Sequence, residues 1–148
     1  MDSHRRDLTR TPPEGVAPID PSAPGKSPPL MTAGEARDTV RELLDDHYAA
    51  RGGPSGTEVA DALLVTSELV TNANRHGGGL TAFSAHVVHG ELMLQITDRS
   101  PLSPHVLEAE RSTPGGFGWA LAGRLCRTLY VRPLPDGNGK TIVACLPL

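Results

Sequence analysis

The spacing of apolar residues changes in a fixed order along this chain, and that order limits the architectures open to it. "TAGEARDTVRELLDDHYAARGG", from Thr32, sets Val40, Leu43, Leu44 and Tyr48 at helical intervals. Thr32 with Glu35 makes a capping box, and Gly52 and Gly53 are expected to end the helix. "PSGTEVADALLVTSELVTNANRHGGG" predicts a second helix from near Thr57 to Gly77. "LTAFSAHVVHG" and "ELMLQITDR" then switch to the strand period and meet around Gly90, the signature of a hairpin. "SPLSPHVLEAERSTPGG" is a turn-rich connection with a short helical piece at "HVLEAE", and "GFGWALAGRLCRTL" reads as a third helix. "LYVRPLP" and "KTIVACLPL" close the chain as strands about the turn Asp136 to Gly139. Hairpin-joined strands with helices gathered elsewhere predict a two-layer α/β sandwich.

Composition sets the material of that sandwich. The 148 residues are 38% hydrophobic but only 3% aromatic, so the core must be aliphatic. Residues 1–30 hold seven of the 14 prolines and almost no large apolar side chains. Such a segment cannot offset its ordering entropy by burial and is expected to be a flexible tail. The domain is expected over 31–148. Formal charge is −3, with no basic cluster beyond the first ten residues, which argues against direct nucleic-acid binding. Cys126 and Cys145 lie outside any ligand spacing and read as reduced core residues. The N-terminus has no apolar signal region and no apolar run approaches 18 residues, so a cytoplasmic protein with no membrane span is expected.

The second helix poses the functional question. At about 100° per residue, Val59, Leu63, Thr66, Val70 and Ala73 form the core face, and Asp61, Glu68 and Asn72 lie opposite, with His76 one turn on. Periodicity alone makes this a solvated polar stripe. Leu64, Val65 and Leu69 flank it, however, which would set Glu68 and Asn72 in an apolar trough. There an amide oxygen can ligate a hard cation and a carboxylate can accept a proton. Two further stretches bear on the same question. "ITDRSP" puts Asp98 at the end of an apolar strand, where it either starts a turn or accepts a bond from an exocyclic amine. "TPGGFGWALAG" puts Gly115, Gly116 and Gly118 at a helix start, either a plain loop or a place for phosphate against bare backbone amides.

In order, "ELVTNANRHG", "DRSP", "GGFGWAL" and "GKTIVACL" resemble the motifs of the histidine-kinase-like ATPases, the superfamily that includes gyrase and the histidine kinases. Within it they look like the small anti-sigma-factor serine/threonine kinases of bacterial partner-switching systems. The resemblance covers nearly all of residues 32–148. It implies the Bergerat ATP-binding fold, an α+β two-layer sandwich whose mixed, largely antiparallel sheet carries about three helices on one face. It implies ATP and Mg²⁺ as cofactors, with Asn72 holding the metal against the phosphates and Glu68 as general base. Asp98 would accept the adenine amino group, with Ser100 beside it. Gly116 and Gly118 would let backbone amides approach the phosphates. Thr141 would support the adenine end, and Arg75 and His76 would lie near the phosphates. The implied partners are a sigma factor and a small antagonist protein that is phosphorylated on Ser/Thr; a homodimer is also implied.

The chain departs from the family at three places. Asp98-Arg99-Ser100-Pro101 stands where glycines usually follow the aspartate, in the "DxS" form of the small bacterial branch. Phe117 and Trp119 occupy the glycine motif, and Pro101 to Pro114 is short for a lid. "KSPPLM" is a poor strand where the family places one before the first helix, and that strand carries the dimer surface.

Two other readings compete: a nucleotide-dependent regulator that sequesters a partner without kinase activity, and a relative that binds no nucleotide. "GNGKT" is not a P-loop, because Leu134 stands where the pattern needs glycine and the context is a hairpin. His86 and His89, three apart on a strand, point to opposite faces and make a poor metal pair. His47 and His105 are expected at the surface.

Overall fold

The computed structural model describes residues 30–102 and 118–148. The tail 1–29, "HVLEAE", Phe117, Gly115, Gly116 and His105 lie outside the described residues. Helix α1 (Ala33–Tyr48) is followed by α2 (Glu58–Arg75), the hairpin β1 (Leu80–Val88) and β2 (Glu91–Asp98), α3 (Gly118–Leu125), and the hairpin β3 (Thr128–Pro133) and β4 (Lys140–Pro147). The strands form one sheet in the order β1-β2-β4-β3, and every neighbouring pair is antiparallel. The expected mixed sheet is therefore wholly antiparallel across the described strands. Three helices against this sheet make an α+β two-layer sandwich.

Local chemistry starts and stops these elements. The Thr32 hydroxyl accepts a hydrogen bond from the Glu35 amide at 3.1 Å, capping α1 as its sequence predicts. The helix ends at Tyr48, short of the two glycines. There the Arg51 guanidinium donates to the His47 carbonyl at 2.7 Å and the Arg51 amide to the Tyr48 carbonyl, closing off the last turn. His47 is half-buried, with its ring set edge-on to Tyr48, and burial, then Arg51, lowers its pKa. The first hairpin turns on two residues, His89 (φ 51°) and Gly90 (φ 74°), the pair of positive φ angles that a type I′ turn requires. His89 thus sits in the turn rather than on the strand.

Strand parity builds the core. Leu92, Leu94 and Ile96 of β2 and Ile142, Ala144 and Leu146 of β4 face the helices together with Phe83 and Ala85 of β1. Ala36, Val40, Leu43 and Leu44 of α1 and Ala62, Val65, Leu69, Val70 and Ala73 of α2 meet them. Burying each large aliphatic side chain contributes about 1.5–3 kcal/mol. The buried face of α2 is turned by about 50° towards Leu69 from its predicted direction. Val59 and Leu63 are only half-buried, and Leu64 is 41% exposed, so it forms no wall beside Glu68.

Asn74 ties the layers together. Its amide nitrogen donates to the Met31 carbonyl at 2.9 Å, and its oxygen accepts from the Leu80 amide at 3.1 Å. One side chain thus joins the entry to α1, the end of α2 and the start of β1. Asn74→Ala is expected to lower stability by about 1–3 kcal/mol, because it strands two main-chain groups at once. Urea unfolding should show a lower midpoint at an unchanged m-value.

Candidate functional site

Asp98 ends β2 on the core-facing side, where parity directs its carboxylate inward, and it is 3% exposed. A charge so placed needs partners. Lys140, opposite it in the β2–β4 register, supplies them: its Nζ lies 3.0 Å from each Asp98 oxygen and 3.1 Å from the Ser100 carbonyl. Lys140 is itself 2% exposed. The Ser100 amide donates to Asp98 Oδ1 at 3.0 Å, and the Ser100 hydroxyl accepts from the Leu102 amide, so a tight turn carries the chain off the strand. Burial pushes the Asp98 carboxyl above its ordinary range, and the hydrogen bonds from Lys140 and Ser100 pull it back.

Two glycines make room for this cluster. A Cβ at Gly77 would overlap the Asp98 carboxylate and lie 2.9 Å from the Ala73 carbonyl. A Cβ at Gly139 would overlap the Asp98 main-chain oxygen. The three glycines that break α2 thus do more than end a helix: Gly77 and Gly79 donate back to the Ala73 carbonyl, and the Gly77 carbonyl accepts from the Arg99 amide at 2.9 Å. This seats the end of α2 on the end of β2.

Glu68 and Asn72 lie one turn apart on α2, and both are half-buried rather than solvated. Gly118, the first residue of α3, is buried against this stripe, and a Cβ there would overlap Glu68 Oε2. The Glu68 carboxylate therefore lies against the start of α3, a helix with no acidic residue in its first turn. His76 caps α2 and is half-buried, while Arg75 is exposed.

One expected neighbour lies elsewhere. Thr141 projects from the opposite face of the sheet to Asp98, and its hydroxyl bonds that of Thr97 across the strands at 2.8 Å. The residue that β4 presents to Asp98 is Lys140, which the motif reading missed. A signal for it was present: in "KTIVACL" strand parity puts Lys140 on the same side as Ile142, Ala144 and Leu146. A lysine in core parity demands an acid partner.

Among the described residues no group of three or more His, Cys, Asp or Glu could hold a metal. Mg²⁺ commonly keeps several waters and takes few protein ligands beside phosphate oxygens, a mode in which Asn72 would be the protein ligand. Cys126 and Cys145 are free and half-buried, and burial, then Cys145, pushes the Cys126 thiol up to about 11. Such a thiol is unreactive. In comparisons with known proteins, the sequence matches no family model and no curated protein.

Proposed function

We propose that this domain binds ATP with Mg²⁺ in a Bergerat-type site and acts as a serine/threonine protein kinase and anti-sigma factor. The observation that carries the reading is the double use of α2. Its side presents Glu68 to the glycine that opens α3, and its glycine exit is moulded around the buried Asp98. The motif resemblance gives each of these residues a role in one nucleotide site.

On this reading Asp98 accepts the base amino group, Asn72 ligates the metal, and the amides about Gly116 and Gly118 take the phosphates. Bound Mg²⁺ supplies charge neutralisation. Phosphoryl transfer asks the protein mainly for positioning and electrostatics. Glu68 accepts the proton of the attacking serine or threonine hydroxyl as its oxygen bonds to the γ-phosphorus and the bond to the leaving diphosphate oxygen breaks. The phosphorylated protein is a small antagonist, and its phosphorylation frees this domain to hold a sigma factor in the cytoplasm. Those partners, and a homodimeric state, rest on the motif resemblance. No described helix is long and apolar enough to cross a membrane.

Glu68→Ala should lower transfer of labelled phosphate to an antagonist by about 10²–10⁴-fold while leaving the Mg-ATP dissociation constant within a few-fold. Transfer that persists in the variant removes Glu68 from the base role. Mg-ATP should also raise the melting temperature of the wild type. Mass action gives about 2.7 kcal/mol at a hundredfold excess over Kd. No shift at millimolar Mg-ATP would favour a domain that acts by surface contact alone.

A further inference from the structure

Lys140 Nζ has three hydrogens and three acceptors: Asp98 Oδ1, Asp98 Oδ2 and the Ser100 carbonyl. The two carboxylate oxygens subtend a narrow angle at Nζ and so share one N–H, while another is held by the Ser100 carbonyl. Asp98 is the complementary case. Its Oδ1 takes Lys140 and the Ser100 amide, while its Oδ2 takes Lys140 alone. A carboxylate has about four lone-pair sites, so one remains, on Oδ2, the oxygen that faces Gly77.

We infer that Lys140 is a positioning residue for the base subsite: it fixes the buried Asp98 carboxylate as an acceptor with one open lone pair, and so selects a base that offers an amino group there. The inference rests on the nucleotide reading for its ligand and on the ion pair for its mechanism. A 6-aminopurine has the single N–H that the open lone pair can take. A 6-oxopurine puts an acceptor in that place, which the ionised, acceptor-only Asp98 cannot satisfy. An unpaired buried acceptor is the kind of mismatch that gives strong discrimination.

Loss of the ammonium has a signed consequence. Lys140 is the charged group that the carboxyl faces on β4; on the α2 side it faces Gly77, which has no side chain. Arg99, the residue after β2, turns its guanidinium to the Gly78 carbonyl at 3.3 Å, and His76 and Arg75 precede Gly77 at the end of α2. Without Lys140 the buried carboxyl holds its proton to higher pH. The protonated acid gains an O–H that can donate to a 6-oxo group, and its neutral carbonyl holds an amino group more weakly than the carboxylate does.

The test compares wild type and Lys140→Met by ¹³C titration of the Asp98 carboxyl, and by binding of ATP and inosine triphosphate from pH 6 to pH 9. The wild type should prefer ATP by about tenfold or more across the range. In the variant, Asp98 should titrate at higher pH, ATP binding should weaken as pH falls through that value, and the preference should shrink or invert. General damage to the fold would weaken both ligands without recovery at pH 9. Should the variant fail to fold, the wild type answers alone. Its Lys140 ammonium protons should be slow to exchange and keep their ¹⁵N shift when ATP binds. Fast exchange, or release of Lys140 from Asp98 on binding, overturns the positioning role. An Asp98 titration unchanged by the substitution overturns it whatever the nucleotide result. Wild type that binds neither triphosphate, with the Asp98 titration displaced as expected, overturns the nucleotide reading and the base preference together, while the ion-pair mechanism stands.

Discussion

Lys140→Met is expected to remove about 3–5 kcal/mol of stability at neutral pH, because it leaves the Asp98 carboxylate buried without its counter-charge. For a domain of ordinary stability, about 5–15 kcal/mol, that is a fifth or more of the total. The double variant Asp98→Asn, Lys140→Met should recover most of the loss, since no unpaired charge then remains inside. The effect also has a pH sign. Burial raises the folded-state Asp98 carboxyl above its ordinary 3.8, so ionising it costs the fold as pH climbs through the raised value. Lys140 offsets that cost. Without it the folded value rises further, so the deficit should be full at pH 8 and should close as pH falls towards 3.8. Denaturant unfolding of wild type, both single variants and the double variant at several pH values measures this directly. Equal deficits at pH 4.5 and pH 8 would show that the loss comes from packing of the lysine stem and not from the charge.

The parts of this fold that were legible in the sequence are those governed by local chemistry. The Thr32 cap, the His89-Gly90 turn and the two hairpins all follow from residues within a few positions of one another. Helix ends were less legible because long side chains and sheet contacts decide them. Arg51 closes α1 before its glycines. The Arg127 amide bonds the Cys145 carbonyl, so "RTL", which reads as the end of the third helix, leads instead into β3. The core face of α2 was misjudged for a related reason. The helix is enclosed by α1, α3 and the sheet, so the arc it buries, from Val65 to Val70, is centred nearer Leu69 than the predicted face.

The candidate site divides in the same way. Glu68, Asn72 and Asp98 were readable as motif residues, and α2 and β2 set them on inward or half-buried positions. The role of the glycines was readable only as helix breaking. What Gly77 and Gly139 actually do depends on an aspartate 21 residues after the first and 41 before the second. Lys140 was not legible as the partner of Asp98 because a motif is matched along the chain, whereas side-chain direction alternates with parity. A shift of one residue moves a group to the other face of the sheet.

Gly77→Ala and Gly118→Ala should separate the structural glycines from the functional one. At Gly77 the new methyl meets the Asp98 carboxylate and the Ala73 carbonyl, both held in place, one by Lys140 and one by α2 itself. Neither can retreat, so a loss of about 3 kcal/mol or more is expected from overpacking and a disturbed buried ion pair. At Gly118 the main obstacle is the carboxylate end of the flexible, half-buried Glu68 side chain, with its Cβ 3.3 Å away. Alanine also favours the helix over glycine by about 1 kcal/mol, so stability should change by less than about 1 kcal/mol in either direction. Activity should respond in the opposite order. Displacing a general base by about an ångström can cost on the order of a hundredfold in rate, and the methyl forces such a displacement. Gly118→Ala should therefore melt like the wild type, yet transfer phosphate about a hundredfold more slowly at saturating Mg-ATP. Wild-type transfer by Gly118→Ala would mean that the contact between Glu68 and the start of α3 has no part in the chemistry, and the proton acceptor would have to be sought elsewhere on α2.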